Sequence, residues 1–256
     1  MKAFVRNCLL VATVLLPPAA LAHDFFLLPG AGTPSGSAPM IIQASVGSSF
    51  PKTENVVTPD RVDKVGAHGA GAPKLTIAGA GATALNLELS GVGSGTVVAA
   101  VTTKAREVEY GEDRIPLILG EYRVSKEALQ SVANLPKPRM LKATSRRFAK
   151  TLVCMRNCED RTAAQKPLGY PLEFVASPNA PERYRLVAAG RPLGDYPVYI
   201  VNDAGERSHL STNSVGEIQV PADAKGRMML FAAVLTPPVA DERYTLDLST
   251  LTFVRP

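Results

Sequence analysis

The sequence predicts an all-β protein with two antiparallel β-sandwich modules and one short helix in the region that connects them. Three observations support this fold class. Ten short runs are rich in apolar and β-branched residues, and some alternate with a period of two. Turn signals containing Gly, Asn and Asp separate these runs. Strands and helical segments do not alternate regularly, which argues against a doubly wound parallel sheet.

The first 22 residues predict a cleaved secretory signal. Lys2 and Arg6 form a basic start, Leu9–Leu16 is a short apolar segment, and Ala20–Ala22 has the small-x-small cleavage pattern. Cleavage after Ala22 removes two basic residues, so the formal charge falls from +5 to +3. No later segment has transmembrane length. We therefore expect a soluble periplasmic protein, and its modest charge argues against a nucleic-acid partner.

Residues 23–145 are predicted to form the N-terminal β-sandwich domain. The run "LNLEL" alternates apolar and polar residues, as half-buried strands do. The four strands predicted here are Met40–Gly47, Lys74–Gly79, Ala84–Gly91 and Gly95–Lys104. The segment Ser125–Leu135 predicts the helix, because Ser125 suits an N-cap and Leu129 and Val132 fall on one face.

Residues 146–170 are predicted to form a basic, disulfide-bearing connector. Seven basic residues between Lys137 and Arg156 have no acidic residue among them. We expect a solvated strand or a domain-joining segment here, with an anion-binding patch as the alternative. Cys154 and Cys158 are the two cysteines left after cleavage, and in an oxidising compartment they predict a disulfide. A metal-binding or redox pair is the alternative, although redox motifs usually have two intervening residues.

Residues 171–256 are predicted to form the C-terminal domain. Turn signals such as "NDAGE" and "DAKG" separate its short strands, a spacing typical of antiparallel sandwiches. The six predicted strands are Leu172–Asn179, Tyr184–Gly190, Tyr196–Asp203, Gly216–Pro221, Arg227–Leu235 and Tyr244–Val254.

The order of several motifs resembles a known family. The motifs are "AHDFFLLP", "RRFAKTLVC", "PLGYPLEFVASPN", "GRPLGDYPVYIVNDAG", "LSTNSVGEIQVP", "MMLFAAVLTPP" and "STLTF". Together they resemble the periplasmic domain-of-unknown-function family DUF4198, which is often described as a NikM-like component of nickel/cobalt uptake. The resemblance covers the predicted mature terminus and residues from about 147 to the end. It implies an immunoglobulin- or transthyretin-like C-terminal module, export, and a role beside a membrane metal permease.

The predicted mature terminus is the sharpest candidate site. Cleavage after Ala22 gives His23 a free α-amine beside its imidazole, and two such nitrogen donors suit Cu(II) or Ni(II). Asp24 adds a possible oxygen ligand, and His68 and His209 are the other histidines available to complete the site. Each of these two histidines is also compatible with a plain surface position. The predicted metal ligands are therefore His23, Asp24, His68 and His209, with Ni, Co or Cu as the ion.

The sequence predicts a non-catalytic protein that handles a divalent transition metal beside an uptake system. The alternative is a metal-free binding or assembly module for a protein or carbohydrate partner. A nucleophile motif such as G-x-S-x-G is absent from the sequence, and the acidic segment Glu107–Asp113 is interpreted as a solvated loop. A copper-dependent oxidase that uses the terminal histidine is the remote enzymatic alternative.

Overall fold

The computed structural model describes residues 23–30, 39–156, 158–178, 180–239 and 243–255. Within these ranges the chain is mainly β, as predicted. The first eight strands are β1 (Asp24–Pro29), β2 (Met40–Gly47), β3 (Asn55–Val56), β4 (Val62–His68), β5 (Gly71–Ala80), β6 (Leu85–Val92), β7 (Gly95–Thr103) and β8 (Arg106–Gly111). Helices α1 (Ile115–Tyr122) and α2 (Lys126–Ala133) follow. The remaining strands are β9 (Met140–Met155), β10 (Leu172–Ala176), β11 (Arg183–Ala188), β12 (Arg191–Pro192), β13 (Pro197–Val201), β14 (Arg207–Ser211), β15 (Glu217–Gln219), β16 (Gly226–Thr236) and β17 (Tyr244–Arg255).

The strands form three sheets, and the largest one is shared. An eight-stranded sheet has the order β14-β13-β16-β17-β9-β7-β4, with β8 also paired to β9. A five-stranded sheet, β1-β2-β6-β5 with β3 on β2, and a four-stranded sheet, β10-β11-β12 with β15 on β11, complete the fold. The pairings are antiparallel except that of β17 with β9, which is parallel. The predicted all-β sandwich class is therefore confirmed.

The two smaller sheets pack on opposite faces of the shared sheet. Residues of a strand alternate between faces, so one face of β9 presents Ala149 and Val153 to the five-stranded sheet. Its other face presents Phe148 to the core with the four-stranded sheet. The two helices cover a further part of the first face. Each sandwich therefore uses the same central strands, and neither core closes without β9.

The predicted connector of residues 146–170 begins inside a strand. β9 runs for 16 residues from Met140 to Met155, so the predicted boundary at residue 145 passes through it. Its basic side chains have partners that lie far away in sequence. Arg146 makes a bidentate ion pair with Asp247, at 2.6 and 2.7 Å. Lys150 Nζ contacts Glu173 Oε2 at 2.8 Å in the protein interior. This part of the basic run is therefore a strand of the shared sheet, and two of its charges are paired with acids from other elements.

The helical region contains two helices where one was expected. The predicted helix corresponds to α2, and Ser125 caps it by accepting a hydrogen bond from the backbone N–H of Ala128 at 3.2 Å. The sequence did not predict α1, because this helix has only eight residues and two of them, Pro116 and Gly120, have low helix propensity. The acidic segment expected to be a solvated loop forms β8, and Arg243 pairs with Glu107 there. In the described residues, no helix is long and apolar enough to cross a membrane.

The predicted disulfide is present. Cys154, near the end of β9, is bonded to Cys158, and their Cα atoms are 5.3 Å apart. Cys154 lies opposite Thr96 of β7 in the shared sheet. The bond therefore fixes the start of the segment that leaves the sheet after β9.

Candidate functional site

The start of β1 is held on both of its edges. One edge pairs with β2 in antiparallel register. Along the other, Thr250 Oγ1 donates to the carbonyl of Phe25 and Thr252 Oγ1 to that of Leu27, each at 2.6 Å. These two threonines belong to the motif "STLTF", whose alternation points them towards β1 while Leu251 faces the opposite core. β1 is thus fixed along its length by hydrogen bonds to two different sheets.

His23 lies immediately before this anchored strand and is exposed. Arg147 Nη1, on β9, donates a hydrogen bond to the carbonyl oxygen of His23 at 3.0 Å. The backbone at the predicted mature terminus is therefore bonded to the centre of the shared sheet. Because terminal residues fray unless they are tied down, this bond bears directly on whether His23 can act as a fixed ligand.

Asp24 is almost fully buried, with 3% of its surface exposed. One carboxylate oxygen makes an ion pair with Nη2 of Arg207 on β14. Within the described residues, the other oxygen, Oδ1, and Nη1 of Arg207 are both buried and have no hydrogen-bond partner. Burial raises the pKa of Asp24 to about 6, although the Arg207 guanidinium opposes the shift.

Glu121 brings a second carboxyl group to the same place from α1. Its Oε1 atom is buried and has no hydrogen-bond partner in the described part of the chain. Burial raises the pKa of Glu121 to about 7, and the negative charge of Asp24 adds to the rise. We call Asp24, Glu121 and Arg207 the Asp24 cluster. The cluster contains two carboxyl groups and one guanidinium cation. Burial favours the neutral form of each carboxyl group, and it does so more strongly for Glu121.

Two aromatic rings contact the guanidinium of Arg207. The Arg207 guanidinium lies over the ring of Tyr199, 4.8 Å from its centroid, and over that of Phe231 at 5.6 Å. Arg123 also lies over Tyr199, at 5.5 Å. The ring of His209 is 4.8 Å from the ring of Tyr199, its cross-strand neighbour. His209 therefore belongs to the surroundings of the Asp24 cluster through an aromatic contact.

The four predicted ligands are not gathered into one closed site. His23 and Asp24 are adjacent, and His209 lies beyond Tyr199. His68 ends β4, where it pairs with Val98 of β7 and lines a separate groove. Among the described residues, no three His, Cys, Asp or Glu side chains lie close enough together to hold a metal ion.

Sequence reasoning did not find Glu121, Arg207 or Tyr199. Arg207 and Asp24 are 183 residues apart, and their pairing depends on the way two sheets pack. One signal was available. Asp24 opens the apolar run "DFFLL", and a charged residue at the start of a buried strand needs a partner. That signal predicts a partner but does not identify it.

Comparison with known proteins identifies one family, no curated relative and a weakly similar solved structure. A family model described as "Domain of unknown function (DUF4198)" matches residues 20–236. No curated protein matches the chain. Among solved structures, the D0-D1 domain of intimin is similar at 13% identity, covering 91% of this chain and 99% of that one, with a TM-score of 0.23. The family match spans most of the sequence, and the chain therefore belongs to the DUF4198 family of domains of unknown function.

Proposed function

We propose that this protein is an exported, non-catalytic carrier that binds a divalent transition metal ion, Cu, Ni or Co, at its mature terminus. The proposal rests on the predicted cleavage after Ala22, which creates a free α-amine on His23. Under this proposal the protein resides in the periplasm and passes the ion to a membrane permease. The resemblance to a nickel/cobalt uptake component supports this role.

The observation that carries the proposal is the anchored backbone at His23. The α-amine and the imidazole Nδ1 of one histidine can bind a metal in a six-membered chelate ring, a donor set that suits Cu(II) and Ni(II). A frayed terminus would lose conformational entropy on binding. Here the hydrogen bond from Arg147 and the fixed strand that follows have already ordered the backbone, so less entropy is lost.

The surroundings of His23 favour transfer over storage. The Asp24 side chain is buried and pairs with Arg207 through one oxygen, and His68 lies in a different part of the fold. The terminal chelate therefore supplies two nitrogen donors, and the other coordination positions remain open to water or to ligands of a receiving protein. An exposed, incompletely ligated ion suits a carrier.

A metal titration tests the proposal. Isothermal titration with Cu(II) and Ni(II) should show one-site binding when the chain begins at His23. Binding should weaken strongly when the α-amine of His23 is acetylated, because the acetylated nitrogen is no longer a free amine donor. It should also weaken in His23→Ala. Affinity should rise with pH, since the metal displaces protons from both nitrogens.

Two matched variants control for the other histidines. His68→Gln and His209→Gln remove an imidazole each but leave the terminus intact, so we expect unchanged binding. The proposal is wrong if acetylation of the α-amine leaves the affinity unchanged, or if His209→Gln abolishes binding while His23→Ala does not.

A further inference from the structure

A groove of about 670 Å³ is lined by residues that do not belong to the Asp24 cluster. One wall is the hairpin between β4 and β5, from Ala67 to Pro73. The other wall is the segment 160–168, which follows the disulfide and includes a short 3-10 helix. Thr96 of β7 also lines it. This volume falls in the range that holds drug-sized ligands, and the groove lies where the two sandwiches meet, a common place for such sites.

The walls of the groove are fixed to each other through β7. The backbone N–H of Thr96 donates to the carbonyl of Asp160 at 2.8 Å. Gly69 packs so tightly that an added Cβ would lie 2.8 Å from the carbonyl oxygen of Thr96. The Cys154–Cys158 disulfide restrains the chain just before Asp160. The groove is therefore preformed, which lowers the entropic cost of binding a ligand.

The lining combines apolar surface, the imidazole of His68 and one exposed charged side chain of each sign. Small apolar side chains, among them Pro73, Ala163 and Leu168, form much of the surface. Asp160 Oδ1 accepts a hydrogen bond from the Thr162 backbone N–H at 3.1 Å, and this bond lowers the pKa of Asp160, so the carboxylate is ionised at neutral pH. Lys166 supplies an ammonium group at the same groove. The ion pairs of the part of the chain that the structure describes do not join Asp160 to Lys166.

We propose that this groove binds a short peptide with free termini, whose ammonium contacts Asp160 and whose carboxylate contacts Lys166. A groove that combines apolar surface with two opposite charges complements a zwitterion with short aliphatic side chains. A simple anion would find Lys166 but would be repelled by Asp160. A simple cation would meet the opposite difficulty. The proposal does not depend on metal binding at His23, since the two regions share no residues.

Three forms of one probe test the charge pattern. Tri-alanine carries both charges, N-acetyl-tri-alanine lacks the ammonium, and tri-alanine amide lacks the carboxylate. Titrations followed by NMR on the full protein in metal-free buffer should show saturable binding of tri-alanine. Each blocked form should bind about tenfold more weakly, because it loses a hydrogen bond to a charged group. Shifts should centre on residues 67–73 and 160–168.

Two charge-removing variants assign each end of the probe. Asp160→Asn keeps an oxygen acceptor for the Thr162 N–H but removes the charge, so it should no longer distinguish tri-alanine from its N-acetyl form. Lys166→Gln should no longer distinguish tri-alanine from its amide. Lys225→Gln, in an exposed turn outside the groove, is the control and should bind like the wild type.

The proposal is overturned if tri-alanine does not bind, or if binding is the same in both variants and all three probes. Binding that Asp160→Asn strengthens would also overturn it, because the groove would then select an anion. Loss of metal binding in His23→Ala with intact tri-alanine binding would separate this proposal from the function proposed above.

Discussion

Breaking the buried pair of Lys150 and Glu173 should destabilise the protein more than breaking an exposed ion pair. Both side chains are almost fully buried, with exposures of 3% and 1%. Glu173 Oε1 accepts hydrogen bonds from the N–H groups of Gly169 and Tyr170, at 2.9 and 3.1 Å. Glu173 Oε2 accepts from Lys150 Nζ at 2.8 Å and from the Leu168 N–H at 2.9 Å. The carboxylate thus joins the shared sheet to the loop before β10.

The magnitude follows from what each variant leaves behind. Glu173→Gln can keep the two hydrogen bonds to Oε1, but its amide N–H₂ then faces two other donors, Lys150 Nζ and the Leu168 N–H. The substitution also leaves the buried Lys150 without a counter-charge. Removing one partner of a buried pair costs about 3–5 kcal/mol. Lys150→Met leaves the carboxylate with three backbone donors, so we expect a smaller loss of about 1–3 kcal/mol. Burial already lowers the pKa of Lys150, consistent with the cost of its charge.

Urea unfolding followed by circular dichroism measures both losses as changes in the free energy of unfolding. Arg227→Met is a matched control, because it breaks an ion pair with Asp203 whose side chains are 48% and 42% exposed. Exposed pairs contribute about 0–1 kcal/mol. The reasoning is refuted if Glu173→Gln is no more destabilising than this control, or if Lys150→Met is the worse of the two.

Three further predictions concern the strand, the acid and the helix described above. Thr252→Val should lower the free energy of unfolding by about 1–3 kcal/mol, because the buried carbonyl of Leu27 loses its donor; unchanged hydrogen exchange in β1 would contradict this. Glu121 has a pKa raised from 4.5 to about 7, so the folded state holds its proton more tightly than the unfolded state. The stability of the wild type relative to Glu121→Gln should therefore fall as pH rises from about 4.5 through about 7, and thermal melts that keep a constant difference would exclude it. Ser125→Ala removes the cap of α2 and should cost about 1 kcal/mol in urea unfolding, whereas equal midpoints would rule out a contribution from the cap.

Local patterns in the sequence predicted much of the secondary structure. The alternation in β6, the cap at Ser125 and the short Cys154–Cys158 loop each depend on residues that are close together in the chain. The structure has a strand at each of the ten predicted positions, although several are longer or shorter than expected. The other seven strands were not predicted, namely β1, β3, β4, β8, β9, β12 and β14. β8 was missed because it is rich in charge, and helix α1 was missed because it contains Pro116.

Long-range pairing could not be predicted from such patterns. The basic run suggested a solvated segment because the acids that neutralise it, Asp247 and Glu173, lie 101 and 23 residues from their partners. The same limit applies to the Asp24 cluster, whose members come from β1, α1 and β14. The terminal position of His23 was visible in the sequence, but the hydrogen bond that holds its backbone was not.

The position of β17 in the shared sheet affects the properties of a truncated chain and the order in which the sheet can form during synthesis. The family match ends at residue 236, the last residue of β16, so β17 lies beyond it. β17 is an interior strand, between β16 and β9. A fragment ending at residue 236 would therefore expose two long unpaired strand edges in the middle of a sheet, a hazard for aggregation. During synthesis, the shared sheet cannot close until residues 244–255 have been made. Among the described strands, this interior strand of the shared sheet is thus made after all the others.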